Sequence, residues 1–227
     1  MCAEFSKVIT ERRAIRRYKP DIVPDDVVRE ILTEARWAPS ATNTQSTHVF
    51  VLSGEPLRQF KTELKQYAES EVEPNPDIPG KPVPQYLLPR QQELFQARSS
   101  FIAAEEAKMG IQPPAQPVSP MVAGAEIFGA PSVLMLAFSK EAGIGFGCFD
   151  AGMFALAITL AAEDRGLGTC ITGGNTRYPD LIRKVIPGTE NMNYTVAIAM
   201  GYPDSEAPIN RFPRTRAAVD EYTRFVR

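Results

Sequence analysis

The chain has 227 residues, 44% of them hydrophobic and 23% charged, the balance of a globular protein with one sizeable core. Its formal net charge of −2 argues against a broadly basic nucleic-acid surface, and no run reaches the roughly 18 uninterrupted apolar residues that a bilayer span needs. The amino terminus MCAEFSKVIT lacks a signal-peptide core, so a cytoplasmic chain that binds neither membrane nor nucleic acid is expected.

In chain order, Phe5, Val8 and Ile9 fall at helical spacing and precede ERRAIRRYKP, which sets Arg12, Arg13, Arg16 and Arg17 at the helix exit. Pro24-Asp25-Asp26 opens a second helix with Val27, Val28, Ile31, Leu32 and Ala35 on one side, ending at Trp37-Ala38-Pro39. After the polar turn SATNTQST, His48 to Leu52 reads as a short buried strand, and Gly54-Glu55-Pro56 starts an amphipathic helix to about Ala68. Prolines crowd residues 70–90 and 113–120 and bracket a helical run, Gln91 to Met109, as an excursion from the single domain; its helix favours a lid or substrate-facing insertion over a disordered linker. Pro131 to Phe138 is a strand buried on both faces, Phe149 to Asp164 a helix apolar nearly all round, and Tyr194 to Met200 a second buried strand. The tail beyond Gly201-Tyr202-Pro203 has too little apolar pattern to fold on itself, so it packs elsewhere or on a partner.

Little in the chain suits metal or triad chemistry. Cys2, Cys148 and Cys170 show neither CxxC spacing nor a nearby histidine cluster, so reduced thiols and no metal site are expected. His48, the only histidine, reads as a packed or hydrogen-bonded strand residue. GIGFGCFD carries Gly143, Gly145 and Gly147, but a dinucleotide fingerprint needs glycine where Asp150 stands, and GLGTCI fails the same test at Ile171. Gly173-Gly174 in TCITGGN is either a turn or a place where backbone N–H groups approach a flat ligand.

Several of these blocks together resemble the FMN-dependent nitroreductase family. RRAIRRY (Arg12 to Tyr18) is similar to its amino-terminal arginine signature, and APSATNTQ (Ala38 to Gln45) to its APS segment. Gly129 to Pro131, Phe149 to Ile171 and Asn210 to Arg216 follow in the family's order, so the resemblance spans nearly the whole chain. The proline-bracketed middle and closing PRTRAAVDEYTRF look most like the nitrobenzoate-reductase-like branch.

The resemblance implies an α+β, three-layer fold, with a mixed, mostly antiparallel central sheet flanked by helices and a homodimer whose carboxyl tails are exchanged. It implies FMN as cofactor, NADH or NADPH as reductant, and ping-pong hydride transfer to a small electron-poor aromatic such as a nitroaromatic or quinone, with no protein nucleophile. Carried over residue by residue, Arg12, Arg13, Ala14 and Arg16 serve the phosphate and ribityl groups, and Arg214 and Arg216 close over the same phosphate; the alternative is helix-end stabilisation. Arg17 is left to solvent or an acidic partner. Pro39, Ser40, Ala41 and Asn43 are implied to contact flavin held mainly by the other chain, while Ile171, Thr172, Gly173 and Gly174 lie along it, with Thr172 and Gly173 at its N5 edge. Phe128, Tyr86 and Arg90 are expected to line the substrate pocket, Arg90 attracting a carboxylate; packing is their alternative role. Ala14 for serine, Ser46-Thr47 for Pro-Trp, Thr172 for glutamate, and Leu156 with Ala157 for a polar pair depart from the family pattern. They leave nicotinamide docking open and permit a same-family enzyme with another reaction, such as reductive dehalogenation or dehydrogenation. A non-enzymatic anion- or nucleic-acid-binding module is the reading from a different class.

Overall fold

The structure, a computed structural model, describes residues 4–112, 116 and 118–227; Cys2, Pro113, Pro114 and Pro117 lie outside the described residues. Helix α1 (Phe5–Glu11) gives way to extended backbone at Arg12. Helix α2 (Asp25–Ala35) starts after Pro24, carries Asp25 and Asp26 in its first turn, and buries Val28, Ile31 and Ala35. Strand β1 (Thr47–Ser53) leads into α3 (Gly54–Glu69), which buries Leu57, Phe60, Leu64 and Ala68 at helical spacing.

The excursion follows. A turn over Gln85–Leu87 runs into α4 (Leu88–Lys108), which has no buried residue. Two short helices then appear that the sequence reading lacks: α5 (Pro120–Ala125), capped by the Ser119 hydroxyl accepting from the Val122 N–H, and later α7 (Pro179–Val185). Between them lie β2 (Ser132–Ser139), α6 (Ile144–Asp164) and β3 (Gly168–Thr172); β4 (Met192–Gly201) and the single turn α8 (Pro208–Arg211) complete the chain's elements.

The four strands are ordered β1-β2-β4-β3, each neighbouring pair antiparallel. A parallel bridge between Ala14 and Thr169 adds the mixed element. Side-chain alternation along β2 divides the core into two. Val133, Met135 and Ala137 pack with Leu57, Phe60 and Leu64 of α3 and Leu181 and Ile182 of α7; Leu134 and Leu136 pack with Ile31 of α2 and Ala155 and Ile158 of α6. Helices therefore cover both faces of the sheet. That coverage is why β2 reads as one unbroken apolar run.

Two expectations need correction. The strand from His48 to Leu52 is not buried throughout: β1 is an edge strand, Leu52 is its one buried residue, and His48 is exposed instead of packed. The long apolar helix begins five residues earlier than its sequence boundary at Phe149, because Ile144 to Cys148 join it as its first turn and a half, with Gly143 as the N-cap. Gly147 in that turn allows the close approach of Phe138, whose ring a Cβ would meet at 2.6 Å. Helix α6 is long and apolar enough to cross a membrane by length and composition, yet it buries Ala151, Ala155, Ile158 and Ala162 in the body and leaves Phe146, Phe149 and Leu156 exposed.

Candidate functional site

After α1 the chain runs extended beside β3. The Ile15 N–H donates to the Thr169 carbonyl at 2.9 Å, and a Cβ on Gly168 would lie 2.5 Å from Ile15, so glycine is what lets the two segments touch. Ile15 and Tyr18 turn inward and are buried; the Tyr18 hydroxyl donates to the Ile15 carbonyl, and burial pushes its phenol far above the usual range. Arg12, Arg13 and Arg16 are half-buried, and Arg17 is exposed. No basic residue occupies the last turn of α1, and of the arginines only Arg12 caps its carboxyl end, so helix-end stabilisation does not account for Arg16 or Arg17.

The carboxyl tail returns to this segment. Buried Asn210 joins the two: its Oδ1 accepts from the Arg16 N–H at 2.8 Å, and its Nδ2 donates to the carbonyls of Arg17 at 2.7 Å and Asp204 at 2.9 Å. Arg13 donates to the carbonyls of Asn210 at 2.5 Å and Phe212 at 3.3 Å, while Arg214 donates to those of Arg12 and Thr10. Residues about 200 positions apart thus share one cleft of about 870 Å³, lined by Arg12, Arg13, Ala14, Arg16, Arg214 and Arg216 together with Arg90 and Arg98 of α4.

Seven guanidinium side chains line this cleft against two carboxylates, Glu93 and Glu221. Burial, then Arg13, Arg216 and Arg12, hold Arg214 below the usual arginine range. Glu163 lies close by; burial raises its carboxyl, against the pull of Arg12 and Arg214. A concentration of mutually repelling guanidiniums, four of them (Arg12, Arg13, Arg16 and Arg98) half-buried, fits a doubly charged phosphate, whose oxygens accept bidentate bonds and whose charge offsets the repulsion. The donor set therefore matches an FMN phosphate. Arg90, expected to attract a substrate carboxylate, pairs with Glu221 at 2.8 Å and lines this same cleft.

The other expected site residues form two further groups. Thr172, Gly174 and Phe128 line a smaller cavity of about 110 Å³. The Thr172 hydroxyl donates to Asn175 Oδ1 at 3.0 Å, and Asn175 Nδ2 donates to the Gly124 carbonyl at 3.1 Å, tying the loop after β3 to α5. A Cβ on Gly173 would meet nothing within 4 Å, so the backbone there is open to a flat ligand, and Ile171 beside it is 42% exposed. Phe128 sits at φ 60° between Ile127 at 47° and Gly129 at 75°, a left-handed turn that costs about 1–3 kcal/mol per non-glycine residue.

Pro39, Ser40, Ala41 and Asn43 form the third group. Asp150 of α6 holds their turn by accepting from the Ala41 N–H at 3.0 Å, and Thr42, Asn43 and Gln45 all have positive φ. This turn lines neither cavity of its own chain, and Tyr86, 80% exposed, lines neither as well. Sequence reasoning missed Arg98, Asn175, Asp150 and the joining role of Asn210. Asn210, Asp150 and Asn175 lay within quoted motifs but Arg98 did not, and the roles of all four depend on contacts between distant segments. Among the described residues no group of three metal-ligating side chains comes together.

Comparison with known proteins agrees with this architecture. The profile of the nitroreductase family matches residues 9–202. The chain is 32% identical over 226 residues to the nitroreductase NfnB of Mycolicibacterium smegmatis, covering 97% of this chain and 92% of the relative. It is 26% identical to a 4-nitrobenzoate reductase of Pseudomonas putida, covering 98% and 96%. The crystal structure of the FMN-dependent nitroreductase NfnB from Mycobacterium smegmatis in complex with NADPH superposes with a TM-score of 0.82 at 30% identity, over 98% of this chain and 97% of that one. With the arginine segment, sandwiched sheet and returning tail all in place, the chain belongs to the nitroreductase family.

Proposed function

We propose that this protein is an FMN-dependent oxidoreductase that uses NADH or NADPH to reduce nitroaromatic or quinone-like acceptors. The observation that carries the reading is the arginine cleft, in which both ends of the chain deliver guanidiniums to one place with too few carboxylates to balance them. When bound, FMN supplies the hydride chemistry, taking a hydride from the nicotinamide and passing it to the acceptor. The chain binds and orients. Arg12, Arg13, Arg16, Arg214 and Arg216 hold the phosphate, and Ala14 leaves room for the ribityl chain. The open backbone at Gly173, beside Thr172, offers a donor to the N5 edge, with Ile171 and Gly174 flanking it. Phe128 forms part of the acceptor pocket; Arg90 lines the arginine cleft instead, and Tyr86, which lines neither of these cavities, would meet the acceptor only across a dimer interface.

A homodimer completes the site. Within one chain the turn carrying Pro39, Ser40, Ala41 and Asn43 lines neither its own arginine cleft nor the Thr172 cavity, so its role requires a second copy. Exposed Phe146 and Phe149 on α6, Phe5 on α1, and Phe225 in the tail supply apolar surface for that association.

The test is the visible absorption spectrum of the purified protein before and after anaerobic NADH and NADPH, followed by turnover with 4-nitrobenzoate, a quinone and a halogenated aromatic. A flavin spectrum that bleaches with a nicotinamide, then recovers with the nitro compound or quinone, is expected. Turnover of only the halogenated compound would transfer the assignment to dehalogenation. A colourless protein that takes up no FMN would end the flavoenzyme reading.

A further inference from the structure

The cleft contains one cation that no sequence motif marks. Arg98 stands midway along α4, on the excursion, and faces the same space as Arg12, Arg13 and Arg16. Three of the charged residues toward the ends of α4 are paired, Arg90 with Glu221 at 2.8 Å and Glu105 with Lys108 at 2.6 Å and Arg211 at 3.2 Å, while Glu93 lines the same cleft as Arg98. Arg98 belongs to no ion pair among the described residues; its guanidinium carbon lies 5.3 Å from the Phe95 ring centre. Burial, and then repulsion from Arg16, hold it below the usual arginine range.

The way α4 rests on the body gives that cation a purpose. The helix buries no residue, and it is held to the tail by its two paired ends and by Phe101 against Phe212, ring centres 5.7 Å apart. Between those supports, Arg98 lines the same cleft as Arg16 of the arginine segment. Two desolvated cations repel unless an anion stands between them, and a phosphate with two negative charges offers oxygens to both forks at once.

We propose that Arg98 and Arg16 form a phosphomonoester-binding pair that joins the excursion helix to the arginine segment. Two ligands of the proposed reaction carry that group: the 5′-phosphate of FMN and the 2′-phosphate of NADPH. The identity of the source rests on the flavoenzyme reading; the pair itself does not.

Three measurements on the full chain, its Arg98→Gln variant and its Arg98→Lys variant test this. In thermal melts at constant ionic strength, phenyl phosphate is expected to raise the midpoint of the parent protein relative to chloride. Arg98→Gln loses that rise and Arg98→Lys keeps part of it, because lysine restores charge without the fork. If the flavin phosphate is the source, Arg98→Gln weakens FMN binding to the apoprotein about 10- to 100-fold, the loss of one charge-assisted contact, and leaves riboflavin binding unchanged. If the coenzyme phosphate is the source, FMN binding is unchanged and KM rises for NADPH but not for NADH. Arg98→Gln indistinguishable from the parent in all three measurements overturns the inference. A parent protein that takes up no FMN, yet responds to phenyl phosphate through Arg98, removes the flavoenzyme reading and leaves the anion pair standing.

Discussion

At the scale of single residues, the site depends on one cationic contact and one missing methyl group. Arg12 lines the cleft with its guanidinium and receives Arg214 on its carbonyl, so Arg12→Ala removes the charge but keeps the backbone acceptor. It is expected to weaken FMN binding by about 1.5–3 kcal/mol, read by fluorescence titration of the apoprotein; wild-type affinity would take Arg12 out of the phosphate site. Gly168→Ala places a carbon 2.5 Å from Ile15 and pushes the arginine segment off β3. A loss of about 1–3 kcal/mol in urea unfolding, with weaker FMN binding alongside, is the expected result. Glu163 supplies a test by pH. Its carboxyl is raised from the usual 4.5 by burial, so it favours the folded state at low pH and loses that contribution as pH rises through the raised value. Glu163→Gln should therefore raise the melting temperature at about pH 7 and change it little at about pH 4. Equal shifts at both would contradict the assignment. None of these contacts is visible in sequence, although the residue types are: four arginines in six positions announce an anion, and only the fold shows which of them face it.

Among the elements, legibility followed burial on two faces. β2 and β4 were readable because helices cover the sheet on both sides, and α2 and α3 because each buries one stripe. β1 looks the same in its letters, HVFVL, but lies at the sheet edge, where a strand's pattern carries no mark of its missing neighbour. α5 and α7 are six and seven residues long, too short to show a period, and begin with prolines that read equally well as turns. The excursion was visible from its prolines, but its anchor was not. Asp77, in the proline-rich stretch, accepts from Arg183 of α7 at 2.8 Å and from the Tyr194 N–H of β4 at 3.0 Å, in a largely buried pair. Asp77→Ala removes the close, buried partner of Arg183 and leaves it only the exposed Asp180 carboxylate at 3.4 Å, and is expected to cost about 1–3 kcal/mol in denaturant unfolding. It should also admit proteolysis within residues 70–90 before the rest of the chain. A variant that resists protease like the parent would show that the prolines alone hold the segment.

For the whole molecule, the apolar surface left on α6 is what supports the proposed homodimer. Phe146 and Phe149 are 69% and 64% exposed on a helix whose opposite side is core. The protein is expected to run in size-exclusion chromatography at about twice its 25.0 kDa chain mass. Phe149→Glu should return it to the single-chain mass and, if the turn from Pro39 to Asn43 serves the partner's site as proposed, lower FMN affinity. A monomeric parent that binds FMN normally would remove that turn from the site. By itself the sequence determined the class of fold, the family and the charge that calls for an anion, because hydrophobic period and motif order are local properties of the chain. Only the tertiary structure decided that Arg98 lines the same cleft as Arg16, that Asn210 joins the two ends of the chain, and that the expected site residues fall into three groups, because each of these requires segments far apart in sequence to meet in space.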